Sequence, residues 1–451
     1  MRVWSLFFAV GSLALASGCA DDTEPAVDAA GTATDLSLGA HHACVIRSDG
    51  QVKCWGHALH NQLGLSDGKN RGDLPGGMGD ALPSVQLGSG RHATAISASS
   101  SHTCAVLDDG QLKCWGTGFE GQLGLGSMHH TGITPEEMGD ALPAVDLGRG
   151  ALTVAVSAAR EHTCALLDSG SVKCWGELLF GRLGLGMTYG GPHGLSIGDG
   201  PGEMGDALPT VDLGTGKTAV AIATGDEHTC ALLNDARVKC WGNASLTGTG
   251  SLHDIGHDPD GMGDALPPID LGRGRTVTAI AAGGMHTCAL LDDGTVKCWG
   301  VNNDGQLGLG DTEQRTRTRD MGDALPRVDL GTGKAAIAIT AGSSHTCALL
   351  HDRSVKCWGY DNGTGCLGVG ASGQIGDEPG EMGDALLAVD LGKGKKAVQI
   401  QAGVAHTCAR LDDDTVKCWG RNDSGQLGLG DTNARGTTTS QMGDNLPAVS
   451  F

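Results

Sequence analysis

HTCALLDDGTVKCWG, residues 286–300, decides the fold, because close copies of it recur along the whole chain. Each copy carries two cysteines ten positions apart: Cys44 and Cys54, Cys104 and Cys114, Cys164 and Cys174, Cys230 and Cys240, Cys288 and Cys298, Cys347 and Cys357, Cys408 and Cys418. A tryptophan follows the second cysteine every time, from Trp55 to Trp419. A second motif, MGDxL, alternates with the first and starts at Met78, Met138, Met204, Met262, Met321, Met382 and Met442. A period of about sixty residues repeated seven times marks a repeat architecture and leaves no room for a separate domain.

Working outward from residue 286, the fifth unit reads as four short strands. Pro268–Gly272 and Thr276–Ala282 come first, and His286–Leu291 and Thr295–Gly300 then form a hairpin around Asp292-Asp293-Gly294. Side chains alternate between faces along a strand, so Cys288 opposes Cys298 only if the hairpin loop has an odd number of residues. Three residues fit best, a type I turn closed by Gly294 in the left-handed conformation. Gly50, Gly110 and Gly170 repeat that glycine, whereas Ala236, Arg353 and Asp414 replace it and are expected to carry strain. Opposed cysteines lie within disulfide range, which predicts seven disulfides, one inside each unit. Cys366 is left over as a free thiol, buried or available for an intermolecular bridge.

The composition agrees with an all-β chain that needs crosslinks. Of 451 residues 76 are Gly, and aromatic residues make up 3%. That is too much glycine for an ordinary helical or doubly wound fold, and too little aromatic surface for a large greasy core. The net charge of −21 opposes binding of nucleic-acid backbones.

The pattern GxxHTxALLxxGxVxxWGxNxxGQLGLG, best seen at His286–Asp311 and His406–Asp431, resembles the repeat of the regulator of chromosome condensation family. The resemblance covers the chain from about residue 35 to its end and implies a seven-bladed β-propeller of four-stranded antiparallel blades. The fourth unit departs most, with NASLTGTG after Trp241-Gly242, and the sixth reads GCLGVG at residues 365–370. The first unit begins near Asp35 without an MGDxL segment before it, and the last has MGDNLPAVSF without a hairpin after it. Pairing Ala448–Phe451 with the strand near Asp35 would therefore close the ring and hide both sheet edges.

Residues 1–18 read as an export signal, and Ala16-Ser17-Gly18-Cys19 resembles a bacterial lipobox, with Ala16 where leucine is commonest. Cys19 is expected to be lipidated, the alternatives being an ordinary cleaved signal or a free thiol. Residues 19–34 read as a flexible acidic tether and 35–451 as the propeller. Export places the cysteines in an oxidising compartment. The expected location is the bacterial cell envelope, anchored by lipid to the outer membrane, or the medium, and the expected state is a monomer.

Little in the chain suggests catalysis. GxSxG, HExxH, a phosphate-cradling GxxxxGK[ST] and a helix-opening GxGxxG are all lacking. Each unit places a histidine two positions before its first cysteine, from His42 to His406, so a zinc site made of His, Cys and Cys is the alternative to the disulfide. No fourth ligand recurs at fixed spacing, and the matching histidine of the resembling family is structural. The MGD aspartates, Asp80 to Asp444, suggest either calcium or turn closure, and the second fits better. The tryptophans invite stacking on a base or a sugar, but their fixed place beside Gly favours packing between blades. No metal or other cofactor is therefore expected.

Binding loops sit on rigid frames, so the segments that vary between units draw attention. The longest, residues 186–203, carries Tyr189 and His193, with Glu177, Phe180 and Arg182 nearby as an amphipathic cluster; Phe180, Arg182, Tyr189 and His193 form the candidate partner site. The resulting expectation is a non-enzymatic exported binding protein that recognises a protein or envelope ligand through rim loops. Two alternatives are guanine-nucleotide exchange, which the resemblance implies, and inhibition of an enzyme such as a β-lactamase. The exchange residues find no match here.

Overall fold

Short runs of small and apolar residues punctuated by glycine fold each repeat into a three-stranded antiparallel sheet. The computed structural model describes residues 31–187, 194–361, 363–370 and 373–451. Seven such sheets follow one another, with no α-helix among the described residues. In the fifth, Val277–Ala282 is the inner strand, His286–Leu291 the middle strand and Val296–Gly300 the outer strand. The first sheet begins at Ala33, so its inner strand takes in the last two residues assigned to the tether. The rest of the tether, the export signal and Cys19 lie outside the described residues, apart from Gly31 and Thr32.

The hairpin is the one the spacing predicts. Leu291 N–H donates to the Thr295 carbonyl and Gly294 N–H to the Leu291 carbonyl, enclosing a three-residue loop in which Gly294 has φ 79°. Ala236, Arg353 and Asp414 take the same place with φ 60°, 70° and 64°, the left-handed backbone that non-glycine residues rarely adopt. Cys288 then faces Cys298 directly, and all seven pairs form disulfides with Cα atoms 4.1 Å apart. Cys366 is the buried free thiol.

The middle strand is buried along its whole length, because each sheet lies between two others. Cys288, Leu290, Val296 and Cys298 share a core with Ala348, Leu350 and Trp358 of the sixth sheet. On the other face Ala289, Leu291 and Trp299 share one with Cys230, Leu232, Val238 and Cys240 of the fourth. The rule repeats: the disulfide of one blade packs in a common core with the tryptophan of the next, and all seven tryptophans are fully buried. Burying an indole contributes about 4–6 kcal/mol before the entropy of ordering it. The tryptophans thus pack between blades and are closed to stacking on any ligand.

Three expectations need correction. The fourth strand is mostly reduced to single contacts: it reaches two residues only at Ser196–Ile197 and Gln374–Ile375. Elsewhere its place is marked by bridges such as Gly300 to Arg315. Proline two residues before the pairing valine (Pro143 before Val145, Pro326 before Val328) removes a donor and keeps this edge short. Second, Pro268–Gly272 is not the first strand of its own unit. Ile269 N–H donates to the Val238 carbonyl at 2.7 Å, so the segment edges the preceding blade.

Third, Ala448–Phe451 does not pair beside Asp35. Val449 N–H donates to Val416 of its own blade, and the strand at Ala33–Leu38 already pairs with His42–Arg47. Every unit supplies its own three strands, so there is no missing strand to replace. The first and seventh sheets meet in another way. Phe451 stacks on Trp55 with ring centroids 6.2 Å apart, Gly79 N–H donates to the Ser450 carbonyl, and Gln399 Nε2 donates to Asp35 at 2.7 Å.

The MGD motif fastens neighbouring units on the outside. Gly139 N–H donates to the Gln86 carbonyl, Asp140 accepts from the Ser89 N–H at 2.7 Å, and Lys113 Nζ donates to the Gly139 carbonyl at 2.8 Å. The same arrangement recurs from Asp206 to Asp444. Turn closure is therefore what these aspartates do, and each closes a turn in the unit before its own.

Candidate functional site

The site rests on a buried polar latch between blades. His286 Nε2–H donates to the Thr346 hydroxyl at 2.8 Å, and Thr346 donates to the Gln306 carbonyl, which also accepts from Trp358 Nε1 at 3.1 Å. His42, His102, His162, His228 and His345 meet Thr103, Thr163, Thr229, Thr287 and Thr407 in the same way. The imidazoles are fully buried, and loss of solvation lowers their pKa, to about 3 for His42, His102, His286 and His406 and to about 4 for His228 and His345. Neutral rings fit the single donated hydrogen bond. In five units the first residue of the turn before the histidine is a glycine that makes room for the ring: a Cβ on Gly283 would lie 2.4 Å from the Gly342 carbonyl and 2.4 Å from His286 Cε1.

This geometry disposes of the zinc reading on positive grounds. The cysteine sulfurs are bonded to each other and so are closed to a metal, and His286 Nε2 is engaged by the Thr346 hydroxyl.

The His–Thr bond of the latch is missing at the seam between the last and first blades, where Ala43 stands in the threonine position and His406 has no hydroxyl to meet. Ala43→Thr is expected to complete the latch and stabilise the fold by about 1 kcal/mol, read as a rise of a few degrees in thermal midpoint, while Thr103→Ala lowers it. A seam variant without gain, beside a destabilised Thr103→Ala, would show that the seam does not share the latch geometry.

The latch histidines hold seven three-residue turns in a ring at one end of a narrow central channel. The turns read Gly39-Ala40-His41, Ser99-Ser100-Ser101, Ala159-Arg160-Glu161, Gly225-Asp226-Glu227, Gly283-Gly284-Met285, Gly342-Ser343-Ser344 and Gly403-Val404-Ala405. A histidine comes directly after every turn, whereas the second and third turn residues vary, with only the second and sixth units sharing a pair, Ser-Ser. The channel itself holds about 110 Å³, too little for most organic ligands, and is lined mainly by Ala, Gly and Ser, with Arg160 and Asp226 reaching into the lining. Beside its mouth a wider cavity of about 590 Å³ is lined by His41, His57, His60, Phe119, Glu120, Arg160, Glu161, Asp226 and Val404 among others.

The two sides of this cavity differ in chemistry. On one side His57 lies edge-on to His41 and His60, and Phe119, 57% exposed, packs against His130 at 4.2 Å. Burial lowers the pKa of His41 and His57. On the other side Arg160 pairs with Glu161 at 3.2 Å; Arg182 and Glu177, which do not line the cavity, pair at 2.9 Å. Burial raises the pKa of Glu161, Glu177 and Asp226, and Arg160 and Arg182 offset only part of that rise.

Of the residues expected to bind a partner, Tyr189 and His193 lie outside the described residues. The structure does bring Phe180, Arg182 and Glu177 together. Arg182 is buried with its guanidinium on Glu177 and over the Phe180 ring at 5.5 Å, and its carbonyl accepts from Trp241 and Thr229. It serves as a latch residue in the place where four units have Gln and the sixth has Cys366. Phe180, half-buried with φ 63°, shapes the same loop. Sequence reasoning misses the mouth residues His41, Phe119, Arg160 and Asp226, although unequal residues before an unvarying histidine are a readable signal. His130, which looks isolated along the chain, is the packing partner of Phe119.

Among the described residues no group of His, Cys, Asp and Glu is arranged to hold a metal ion, and no helix is long and apolar enough to cross a membrane. A family model described as the regulator of chromosome condensation (RCC1) repeat matches residues 33–62, 93–122, 154–177, 219–245, 277–306, 336–366 and 397–426, and a second model of that repeat matches 293–349. The ultraviolet-B receptor UVR8 of Arabidopsis thaliana is 27% identical over 406 residues, 88% of this chain and 79% of that protein. The E3 ubiquitin-protein ligase HERC2 of Homo sapiens is 28% identical over 391 residues, 85% of this chain but only 7% of the ligase. Yeast RCC1 (Prp20), solved bound to Kap60, superposes with a TM-score of 0.61 at 18% identity over 95% of this chain and 90% of that one. Human WBSCR16 gives 0.61 at 18% over 83% and 85%. At such identity these structures speak for the fold alone.

Proposed function

The chain belongs to the regulator of chromosome condensation repeat family, and on that premise we propose that it is a non-enzymatic, exported binding protein that recognises a protein or envelope ligand at one rim of its propeller. The carrying observation is the contrast at the channel mouth: seven turns differ in charge and size on a frame that otherwise repeats closely. A frame latched by buried hydrogen bonds and disulfides holds such turns rigidly, which lowers the ordering cost of binding. The seven disulfides suit an oxidising compartment. Attachment through a lipidated Cys19, with the acidic segment as tether, would hold the rim away from the bilayer.

The test is capture from the producer's envelope and medium on the immobilised, disulfide-intact protein. A small set of proteins retained by the native chain and released by the unfolded one is expected, and no native-dependent retention would refute the reading. An enzyme inhibitor would instead recover one enzyme in equal molar amount. Guanine-nucleotide exchange is checked by nucleotide release from a panel of small GTPases, where no acceleration is expected.

A further inference from the structure

The cavity at the mouth is unevenly charged, and the imbalance points to the chemistry of the partner. Glu120, Glu161 and Asp226 line the cavity with Arg160, while Arg182, Glu177 and Glu227, outside the lining, act on them electrostatically. Arg160 is taken by Glu161 and Arg182 by Glu177. Glu227 accepts from Asn243 Nδ2 at 2.7 Å. Glu120 accepts only from the Ser196 hydroxyl at 3.1 Å and, like Asp226, has no ion pair among the described residues. Asp226 lies against Gly284, whose Cβ, if present, would be 3.1 Å from its Oδ2, and no donor among the described residues meets its carboxylate. Both line the 590 Å³ cavity. Arg160 and Arg182 act on Asp226 from a distance, but neither reaches it, and a partly desolvated carboxylate without a contacting cation is costly unless something else supplies the countercharge.

Apolar surface flanks these carboxylates. Phe119 and Val404, 57% and 39% exposed, line the same cavity. An exposed aromatic ring beside unpaired charge is the composition of an interface centre rather than of a solvated surface.

We propose that the mouth takes a lysine or arginine side chain of a protein partner, its cation between Asp226 and Glu120 and its apolar neighbours on Phe119 and Val404. This rests on the rim-binding reading and narrows it to a cationic, apolar-flanked segment. The chain's charge of −21 draws such a partner in from a distance, and the mouth fixes where it docks.

The probe is a dye-labelled peptide with two arginines flanked by leucines, compared with its citrulline counterpart, which has the same shape without charge. Binding is followed by fluorescence anisotropy on the intact protein. The arginine peptide is expected to bind at least tenfold more tightly than the citrulline one, and D226N/E120Q to remove that difference. The control D108N/D168N deletes two exposed carboxylates at hairpin tips on the opposite rim and is expected to bind as the parent does. Neither pair of substitutions breaks an internal ion pair at the mouth, and counting free thiols confirms that each variant keeps its disulfides. Equal affinity for both peptides, or equal weakening by both double variants, overturns the proposal in favour of general acidic attraction. Proteins captured from the envelope equally well by D226N/E120Q would sink this site and leave the rim reading standing. Arginine-dependent binding without any captured protein would do the reverse.

Discussion

Lowering the pH from 7 to 5 is expected to remove most of the stability of this propeller. The cause is the ring of seven buried imidazoles. In the unfolded chain each titrates near 6.5, whereas in the fold burial holds His42, His102, His286 and His406 to about 3, His228 and His345 to about 4, and His162 well below its ordinary value. Above pH 6.5 neither state is protonated, and the histidines make no difference. Below it the unfolded chain takes up protons that the native one refuses, so unfolding is favoured progressively until the folded values are reached. Each histidine contributes about 1.4 kcal/mol per pH unit over that window. Seven acting together give a loss on the order of 10 kcal/mol by pH 5, comparable with the whole stability of an ordinary domain. Carboxyls raised by burial (Asp35, Glu161, Glu177, Asp199, Asp226, Asp361 and Asp377) act in the opposite sense, but each is less completely desolvated than the imidazoles. Urea midpoints at pH 7, 6, 5 and 4 with proton uptake on unfolding check this. Midpoints that stay level down to pH 4.5 would mean that the imidazoles are hydrated or already charged in the native state.

The same histidines show what a sequence can and cannot disclose. Their spacing from the cysteines is plain, and so is the hairpin, since counting residues between Cys288 and Cys298 decides the loop length and with it the left-handed place of Gly294 and its substitutes Ala236, Arg353 and Asp414. These are local relations. The latch is not local: His286 meets Thr346 across 60 positions, and nothing in either stretch alone says that the bond crosses from one blade to the next. The same limit displaces the unit boundary, because PIDLG has a strand-like pattern but the pattern does not tell which sheet it edges. It also hides Arg182, which reads as a surface charge until its carbonyl is seen in the latch. The mouth is obscured for another reason. Its variation lies in one or two residues per turn, while the long loops after each tryptophan vary conspicuously.

Breaking the disulfides is expected to have the second large effect, with a definite order. Each closes a short loop, and in the chain-entropy model each contributes up to about 2.5–3 kcal/mol, less any strain. Their sulfurs are fully buried against the next blade's tryptophan, so the native protein should resist mild reductant and alkylation, with Cys366 protected as well. Unfolded and reduced, the chain should not regain the ring, since each crosslink lies in a core shared by two blades. Replacing both Cys288 and Cys298 by Ala is expected to cost about 2–5 kcal/mol, because the crosslink is lost and a void is left beside Trp358. The pairs are not equivalent, however. Trp299 Nε1 has no hydrogen-bond partner, for the fourth unit's SLTGTG loop does not bring a carbonyl to it, and Trp299 is the ring that covers Cys230 and Cys240. The interface between the fourth and fifth blades is thus the weakest of those between consecutive units. In partial denaturant with reductant, Cys230–Cys240 should open first, as read by alkylation and mass spectrometry at successive times. Simultaneous labelling of all pairs would indicate one cooperative ring without a preferred breach. Fourteen thiols labelled in the untreated native protein would contradict the crosslinked fold itself.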